Sequence, residues 1–559
     1  MTKAFTAAVA ASLLVCVGAW GQEPAKLQYD LVIRNGRVMD GSGQPAVRAD
    51  VAIKGGRIVA IGAVAPGSAA EEIDAGGRAV APGFIDVHTH VDGEIHTSPA
   101  AENFVRDGVT TIVCGNCGGS VKDVAAYFAR IRERGAGVDV ATLYGHNTVL
   151  KEVKGDRKGE LTAEQMERAK ELVRKAMREG AVGLSTGLIY NPGQFSSTEE
   201  IVELAKVASE FGGIYASHIR GEHGTILKAI DEVITIAREA HVRCEISHFK
   251  LPTDVVAKVG GSNVTLGRVM AARQAGLEIG LDQYPYTASS TGISTLIPDE
   301  FLEQGIEGAR KHIQDPAEFD RVLAAMLNHA EKIGRKSMAY VVVASCPTVP
   351  EYNGKSVEQI AQMRKANHDA KEGGGELLGD AAAKPTEVSM EEQCRAVLEV
   401  FKTGNVSCVF HMMNDAEVEN IMRSPLVAIA SDSGIRNLGV GVPHPRGYGT
   451  NCRVLGRYVR EKKLFSMEEA VRRMTSLPAS VFRFADRGMI KEGYVADVVI
   501  FDPVTVSDMA TFEKPHQYSR GIDDVIVNGV PVLRGGRMTG KLPGRPVLGP
   551  GVGKGLGAS

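Results

Sequence analysis

The chain has 559 residues, and 64 basic against 67 acidic side chains give it a formal charge of −3. Because no stripe of Lys and Arg accompanies this balance, nucleic acid is excluded as an expected partner. A chain of this length can bury one large core and a smaller satellite domain.

Residues 1–21 have the pattern of a secretory signal peptide. Lys3 is basic, residues 7–17 form a short apolar run, and residues 19–21 are a plausible cleavage site. This run is too short for a membrane span and no later segment is long enough, so we expect no stable membrane insertion. Cys16 suggests a lipoprotein, but the residue before it fits a lipobox poorly. The sequence therefore predicts a periplasmic or secreted protein.

Eight cysteines are present, and seven remain once residues 1–21 are removed. They are scattered, and their odd number leaves at least one thiol unpaired or paired between molecules. Because export leads to an oxidising compartment, a functional thiol there needs protection by burial or by a metal.

Both ends of the chain are predicted to contribute strands to one small β-sandwich, formed by residues 22–82 and 486–545. Turn signals such as Asn35-Gly36 separate the strands. The predicted strands are 29–33, 51–53, 58–61, 496–501 and 525–529. We expect residues 546–559, which are rich in Gly and Pro, to form a flexible tail.

Between these ends, residues 83–485 alternate predicted strands and helices. Thr162 and Gln165 predict a capping box at one helix start, Gly180 ends that helix, and Ser197 with Glu200 repeats the device. Eight such units predict an α/β fold, a (β/α)₈ barrel of the TIM type. The predicted strands are 83–88, 110–116, 138–144, 181–187, 213–218, 242–248, 278–284 and 426–431.

One long stretch interrupts this alternation. It contains a predicted strand at 339–344 and the run Glu372-Gly373-Gly374-Gly375. Because a barrel does not need this length, we predict an insertion over about 287–400, a candidate lid. The apolar run 408–410 has no assigned place.

Six side chains with metal-binding chemistry stand at the ends of predicted barrel strands. The carboxyl ends of barrel strands meet at one face, where active sites lie. Two histidines one residue apart on a strand also point to the same side. Imidazole nitrogen and thiolate sulfur favour zinc. The six are His88, His90, Cys117, His218, His248 and Asp432.

Other interpretations exist for single members of this set. A lone histidine at a strand end is more often structural, but four histidines with an Asp and a Cys favour a metal site. Cys114 and Cys117 have the spacing of a redox pair or half a zinc knuckle. No second such pair exists, and an extended backbone would point the two thiols to opposite faces. We therefore interpret Cys117 as a ligand.

Several short motifs carry a resemblance to a known family. The mature chain resembles the N-acyl-D-amino-acid deacylase (D-aminoacylase) branch of the amidohydrolase superfamily. Residues 82–90 indicate the superfamily, and Gly115-Asn116-Cys117-Gly118 with Tyr284-Pro285-Tyr286 narrows it to this branch. Further matching segments are 217–220, 246–250, 431–433 and 444–447.

The resemblance implies a zinc-dependent hydrolase. Cys117, His218 and His248 would hold one tightly bound Zn²⁺, and His88, His90 and Asp432 a second, weaker one. Activated water would attack the amide carbonyl of an N-acyl-D-amino acid. Asp432 would act as general base and then acid, and Tyr284 would stabilise the oxyanion.

The resemblance also suggests residues that contact this small-molecule substrate. Tyrosines and arginines near strand ends often only brace loops, so each contact has a structural alternative. The candidates are Tyr190, Lys250, Arg220, Ser289 (or Ser290) and Arg446.

Alternative functions remain open at this point. A D-dipeptidase or a cyclic-amide hydrolase of the dihydropyrimidinase or hydantoinase type would use the same scaffold. A zinc-dependent binding protein is the non-enzyme alternative, although a purely structural metal site has no use for Asp432. Residue spacing does not determine the enantiomer, the preferred side chain and acyl group, the number of zinc ions or the oligomeric state.

Overall fold

A computed structural model describes residues 27–372 and 386–553, with the side chains of 369–372 left out. The predicted signal peptide lies outside the described residues. The strands are β1 Tyr29–Val38, β2 Val47–Lys54, β3 Arg57–Gly62, β4 Ala69–Asp74, β5 Ala79–Pro82, β6 Phe84–Asp86, β7 Val109–Cys114, β8 Asp139–Thr142, β9 Tyr144–Gly145, β10 Gly183–Gly187, β11 Ile214–His218, β12 Arg243–Ile246, β13 Ile279–Gln283, β14 Ser289–Gly292, β15 Val341–Ser345, β16 Ser407–Phe410, β17 Val427–Ile429, β18 Val498–Phe501, β19 Ile522–Val527, β20 Val530–Arg534 and β21 Arg537–Met538.

The helices connect and cover these strands. They are α1 Glu94–Thr97, α2 Glu102–Val105, α3 Val124–Arg134, α4 His146–Val153, α5 Ala163–Glu179, α6 Thr198–Glu210, α7 Ile226–Glu239, α8 Val256–Val259, α9 Ser262–Gln274, α10 Ile306–His312, α11 Pro316–Lys332, α12 Val357–Glu372, α13 Met390–Lys402, α14 Asp415–Arg423, α15 Arg446–Arg453, α16 Met467–Met474 and α17 Ser476–Val481. A π-helical segment, Val454–Glu461, follows α15. No described helix combines the length and the apolar character that a membrane span requires.

A closed parallel barrel forms the centre of the molecule. Strands β6, β7 and β8 pair in that order, and β9, β10, β11, β12, β13 and β17 form the remaining arc. The barrel closes where the Asp432 amide donates to the His88 carbonyl at 2.8 Å and the His90 amide donates to the Ser433 carbonyl at 2.9 Å. The predicted (β/α)₈ fold is confirmed.

Helices of the barrel begin and end at the polar residues that the sequence indicates. Thr162 and Gln165 make the reciprocal capping box of α5, and Ser197 accepts from the Glu200 amide at the start of α6. Gly180 ends α5 with a φ of 110°, a left-handed conformation that glycine adopts without steric cost.

The two ends of the chain form one nine-stranded sheet. Its order is β21-β20-β19-β18-β5-β1-β2-β3, with β4 also paired to β1. Strands β5 and β18 pair antiparallel, with Val80 opposite Ile500, and so join the N-terminal and C-terminal halves. A separate apolar core lies against this sheet and takes side chains from both ends, among them Leu31, Val51, Val498 and Ile526.

The insertion is a small unit with its own core. Strand β16 pairs with β14 on one side and β15 on the other, and α10 to α13 lie between these strands along the chain. Its core includes Phe319, Val343, Phe401 and Cys408. The unit continues to Phe410, beyond the predicted end near residue 400. The unassigned run 408–410 is therefore the central strand of this sheet.

The prediction of a flexible tail is wrong for residues 546–553. The Val547 amide donates to the Val140 carbonyl, and the Gly549 amide donates to the Gly180 carbonyl, both at 2.8 Å. A Cβ at Gly549 would lie 2.1 Å from the Ala181 carbonyl oxygen. Glycine in this segment therefore permits close packing beneath the barrel strands. Residues 554–559 lie outside the described residues.

A buried ion network ties the terminal sheet to the barrel. Arg487 Nη1 lies 2.7 Å from Asp139 Oδ2 and 3.2 Å from Asp497 Oδ2. The Asn528 side chain donates through Nδ2 to Asp139, and the Asn528 backbone N–H donates to Asp497. Burial and the nearby Asp139 carboxylate raise the pKa of Asp497 to about 7. One arginine therefore compensates two buried carboxyl groups from different parts of the fold.

We expect Arg487→Met to lower the free energy of unfolding by about 3–5 kcal/mol at pH 8, because both carboxylates then lack a counterion. Urea denaturation followed by circular dichroism measures the change. Arg157→Met, at an exposed position, is the matched control and should change stability by less than about 0.5 kcal/mol. A loss below about 1 kcal/mol for Arg487→Met would contradict the role of the network.

Candidate metal centre

The six predicted ligands lie together at one mouth of the barrel. His88 and His90 follow β6, Cys117 follows β7, and His218 is the last residue of β11. His248 follows β12, and Asp432 follows β17. The carboxyl ends of parallel barrel strands face the same way, so side chains distant in sequence converge here.

Cys117, His218 and His248 form a compact donor set. Cys117 Sγ lies 3.8 Å from His218 Nδ1 and 3.7 Å from His248 Nε2. The two imidazole nitrogens lie 2.7 Å apart. Tetrahedral zinc at its usual bond lengths separates sulfur and nitrogen donors by about 3.6 Å. The sulfur–nitrogen spacing of this set therefore suits a zinc ion.

The other three predicted ligands adjoin this set. His88 Nε2 lies 3.3 Å from Cys117 Sγ and 3.5 Å from Asp432 Oδ1. His90 Nε2 lies 3.1 Å from the same Asp432 oxygen. Three overlapping triads have all their donor atoms within 4.8 Å of one another: His88, His90 and Cys117; Cys117, His218 and His248; and His88, His248 and Asp432.

Carboxylates face the outer nitrogens of three of these imidazoles. Asp282 Oδ1 lies 3.4 Å from His88 Nδ1. Glu222 Oε1 lies 3.3 Å from His248 Nδ1 and 3.6 Å from His218 Nε2. Metal-binding histidines commonly present one nitrogen to the ion and the other to such an acceptor. The donor set and its surroundings therefore fit a bound metal.

Three of the ligands have strained backbone conformations. Their φ angles are positive: 52° at Cys117, 40° at His248 and 51° at Asp432. A non-glycine residue in this region costs roughly 1–3 kcal/mol and is held there by its surroundings. At His248 the backbone amide donates to Asp282 Oδ1 at 2.8 Å. The fold thus holds these side chains in place at an energetic cost, as is common at functional sites.

Opposite charges determine the protonation of the two acidic ligands. Burial by itself would raise the pKa of Cys117, but His88 and hydrogen bonds from His218 and His248 lower it well below its usual value. Burial opposes ionisation of Asp432 in the same way, and the charges of Arg446 and His88 outweigh it, so the pKa of Asp432 falls well below 3.8. Both groups are therefore available as anionic donors.

A cleft of about 470 Å³ opens beside the ligands. Tyr284 lies in its wall, and its buried hydroxyl has no hydrogen-bond partner among the described residues. Burial raises the pKa of Tyr284 to about 12, although Lys250 and Arg446 oppose the shift. The hydroxyl therefore keeps its proton and can donate it to a bound group.

Four other predicted contact residues also line the cleft: Tyr190, Lys250, Ser289 and Ser290. The Tyr190 hydroxyl is 3.1 Å from Thr291 Oγ1. Lys250 Nζ forms an ion pair with Glu222 and lies 2.8 Å from His248 Nδ1. The two serines belong to β14, so the insertion contributes one wall of the cleft.

The two arginines predicted to contact the substrate lie outside the lining of the cleft. Arg446 pairs with Asp432 at 2.9 Å and lies 4.6 Å from the Tyr284 ring centroid, so it contacts residues of the cleft without lining it. Arg220, the other predicted contact, is not among the described residues that line the cleft. Its guanidinium binds Glu232 at 2.8 Å and donates to the carbonyls of Gln194 and Ser196. Arg220 braces a loop because these acceptors occupy its donors.

Sequence reasoning missed the outer carboxylates and part of the cleft wall. Glu222 is four residues after His218, and Asp282 is two residues before Tyr284 in a segment with a recognised motif. Their closeness in sequence to predicted site residues could have identified both carboxylates. Thr291 and Asp92 also line the cleft, but no pattern in the sequence distinguishes them from other polar residues.

Comparison with known proteins gives concordant matches. A profile of the Amidohydrolase family matches residues 71–533. The chain is 34% identical to a D-aminoacylase of Alcaligenes xylosoxydans xylosoxydans, over 92% of this chain and 97% of that protein. It is 35% identical to an N-acyl-D-glutamate deacylase of the same organism, over 90% and 94% of the two chains.

A solved structure has the same arrangement of the whole chain. The N-acyl-D-glutamate deacylase of Bordetella bronchiseptica, complexed with zinc and a phosphonate inhibitor, superposes with a TM-score of 0.76 and 33% identity. The alignment covers 93% of this chain and 99% of that one.

We expect Cys117→Ser to raise the zinc dissociation constant by at least about 100-fold, because a serine hydroxyl is not ionised at neutral pH. Competition with a chromophoric chelator measures the constant. Cys346→Ser is the matched control, since Cys346 lies in the insertion beside the Thr348 and Thr403 hydroxyls. Equal zinc affinity in the Cys117 variant and the control would exclude the thiolate as a ligand.

Proposed function

Because the chain belongs to the amidohydrolase family and hydrolyses amide bonds, we propose that it is a zinc-dependent deacylase of N-acyl-D-amino acids. Its products are a carboxylate and a free D-amino acid. The observation that carries the proposal is the meeting of Cys117, His218 and His248 with the unpartnered Tyr284 hydroxyl in one cleft. The names of the relatives support the choice of substrate.

Zinc is the metal that the donor set suits best, since a thiolate and imidazoles are borderline-to-soft ligands. Cys117, His218 and His248 would hold it tightly, and His88, His90 and Asp432 would provide a weaker second position. Bound zinc polarises a carbonyl group and makes hydroxide available near neutral pH.

Asp432 transfers a proton from the attacking water to the leaving amine. Its low pKa keeps it a carboxylate, and it accepts a proton from the attacking water. It then passes this proton to the nitrogen of the leaving amine as the C–N bond breaks. Arg446 holds Asp432 Oδ2 at 2.9 Å, and this contact fixes the direction in which the carboxylate points.

Tyr284 stabilises the oxyanion that forms during attack on the carbonyl. Its hydroxyl is buried, protonated and without a partner among the described residues. A donor already in place needs no reorganisation when negative charge develops on the carbonyl oxygen.

The charges of the cleft favour a substrate with a neutral side chain. Lys250 is the one Lys or Arg among the described lining residues, and Glu222 already binds it. Asp92, Glu222 and Asp432 are acidic groups of the same lining. A substrate with a second carboxylate therefore meets no free cation, and burial of an unpaired carboxylate is unfavourable.

Export to the periplasm or the medium completes the proposal. The N-terminal pattern of residues 1–21 supports it, and the described cysteines are free thiols, six of them buried. The remaining one, Cys117, belongs to the metal centre, where a bound ion protects it from oxidation.

We expect a panel of N-acetyl amino acids to show kcat/KM at least about 100-fold higher for D than for L enantiomers. N-acetyl-D-methionine should exceed N-acetyl-D-glutamate and N-acetyl-D-aspartate by a similar factor, about 2.7 kcal/mol of discrimination. Release of the free amino acid is measured. A hydantoin and a D-dipeptide complete the panel, and faster turnover of either would replace the proposed substrate class.

We expect Tyr284→Phe to lower kcat by about 10²–10³-fold with little change in KM or in zinc content, because it removes one oxyanion donor. Steady-state kinetics and metal analysis test this. Tyr286→Phe is the matched control, since that hydroxyl is also buried with no hydrogen-bond partner in the described part of the chain but lies outside the cleft lining. If both variants retain wild-type kcat, Tyr284 is not the donor.

A further inference from the structure

Glu222 contacts three functional side chains through one carboxylate oxygen. Its Oε1 pairs with Lys250 Nζ and lies 3.3 Å from His248 Nδ1 and 3.6 Å from His218 Nε2. The side chain is 14% exposed. Among the described residues, no other carboxylate lies within 4.0 Å of either outer nitrogen, because the remaining histidine–carboxylate pairs of the centre involve His88 and His90.

We propose that Glu222 is a positioning residue that orients two zinc ligands and the lysine of the cleft at once. The proposal rests on the metal centre of the proposed function. It adds a residue whose carboxylate lies on the outer side of two ligands and beside Lys250, and through which metal binding and substrate binding become linked.

The two imidazoles need an acceptor on opposite ring nitrogens. His218 presents Nδ1 to Cys117, whereas His248 presents Nε2. A ring that binds a metal through one nitrogen carries its proton on the other. With a metal on the nitrogens that face Cys117, the protons would lie on His218 Nε2 and His248 Nδ1, the two nitrogens that face Glu222 Oε1. One carboxylate oxygen thus lies beside the outer nitrogens of two ligands that present opposite ring nitrogens to Cys117.

Lys250 does not replace Glu222 in this role. Its Nζ lies 2.8 Å from His248 Nδ1, but an ammonium group has no lone pair and cannot accept from an N–H. The ammonium is buried, and Glu222 is the carboxylate that pairs with it. Without the carboxylate, a buried cation would lie beside the metal ligands and would oppose a divalent cation.

Glu222 also determines where the Lys250 ammonium points. The group is held by Glu222 and by the His248 carbonyl at 3.1 Å, and it lines the cleft. Lys250 is the residue from which a contact to the substrate carboxylate is expected. A change at Glu222 should therefore affect both the zinc dissociation constant and KM.

The test is Glu222→Gln in the full chain, an isosteric change that removes the negative charge. Zinc is removed and then titrated back against a chromophoric chelator in the absence of substrate. We expect the zinc dissociation constant to rise 10–100-fold and KM of N-acetyl-D-methionine to rise at least threefold. Cobalt substitution should also show an altered visible spectrum, because the two imidazoles change orientation.

Glu232→Gln is the matched control. Glu232 lies on the following helix, α7, and pairs with Arg220, with no imidazole contact. Its zinc dissociation constant should equal that of the wild type. The double variant Glu222→Gln, Lys250→Met should bind zinc more tightly than Glu222→Gln alone, because it also removes the uncompensated ammonium.

A zinc dissociation constant for Glu222→Gln within threefold of wild type would overturn the proposal, as would an equal rise in Glu232→Gln. If Glu222→Gln does not fold, Glu222→Asp provides the comparison. Its shorter carboxylate reaches the two imidazoles less well and should raise the constant at least threefold; an unchanged constant would overturn the proposal. Because zinc titration needs no turnover, inactivity towards every N-acyl amino acid would count against the proposed function alone.

Discussion

Four metal donors of the site, one thiolate and three imidazoles, lie in contact with one another beside the cleft, and this constraint organises the surrounding residues. A partly buried thiolate is unfavourable unless it is compensated, and around Cys117 His88 supplies positive charge while His218 and His248 supply hydrogen bonds. The imidazoles in turn face Asp282 and Glu222. The thiolate is therefore compensated by the imidazoles, and the imidazoles are compensated by the carboxylates outside them.

The same requirement extends to the acid–base machinery. Asp432 lies among cationic groups, with Arg446 on one oxygen and His90 on the other. Arg446 also lies against the Tyr284 ring. The proposed proton carrier and the proposed oxyanion donor are thus held by one guanidinium, whose planar shape suits both an ion pair and an aromatic face.

The three parts of the fold have separate tasks. The barrel supplies every predicted metal ligand from the ends of its strands. The insertion supplies β14, whose serines line the cleft beside the metal ligands. The described residues of the terminal sheet do not line the cleft; Arg487 ties this sheet to the barrel, and residues 546–553 pair with the barrel residues Val140 and Gly180.

Local patterns were enough to predict the barrel and the convergence of its candidate ligands at one face. Strand and helix periods are properties of neighbouring residues, and a barrel brings the carboxyl ends of its strands to one face whatever the lengths of the helices between them. The sequence therefore predicted that His218 and His248 lie beside Cys117, although no interatomic distance was known. The resemblance to a family supplied the roles that spacing alone leaves open.

Tertiary packing decided what depends on contacts between distant segments. Arg220 had the right position after a strand but found Glu232 and two carbonyl groups as partners, and no local pattern shows which acceptor a long side chain will reach. Residues 546–553 looked flexible because Gly and Pro favour irregular structure, yet their close approach to the barrel needs glycine. Sequence reasoning missed Glu222 because its proposed role depends on the contacts of one oxygen with three side chains, and those contacts form only in the folded chain. Sequence by itself determined which groups can bind metal and at which strand ends they stand; only the folded chain decided which charges compensate them, because compensation depends on distance in space.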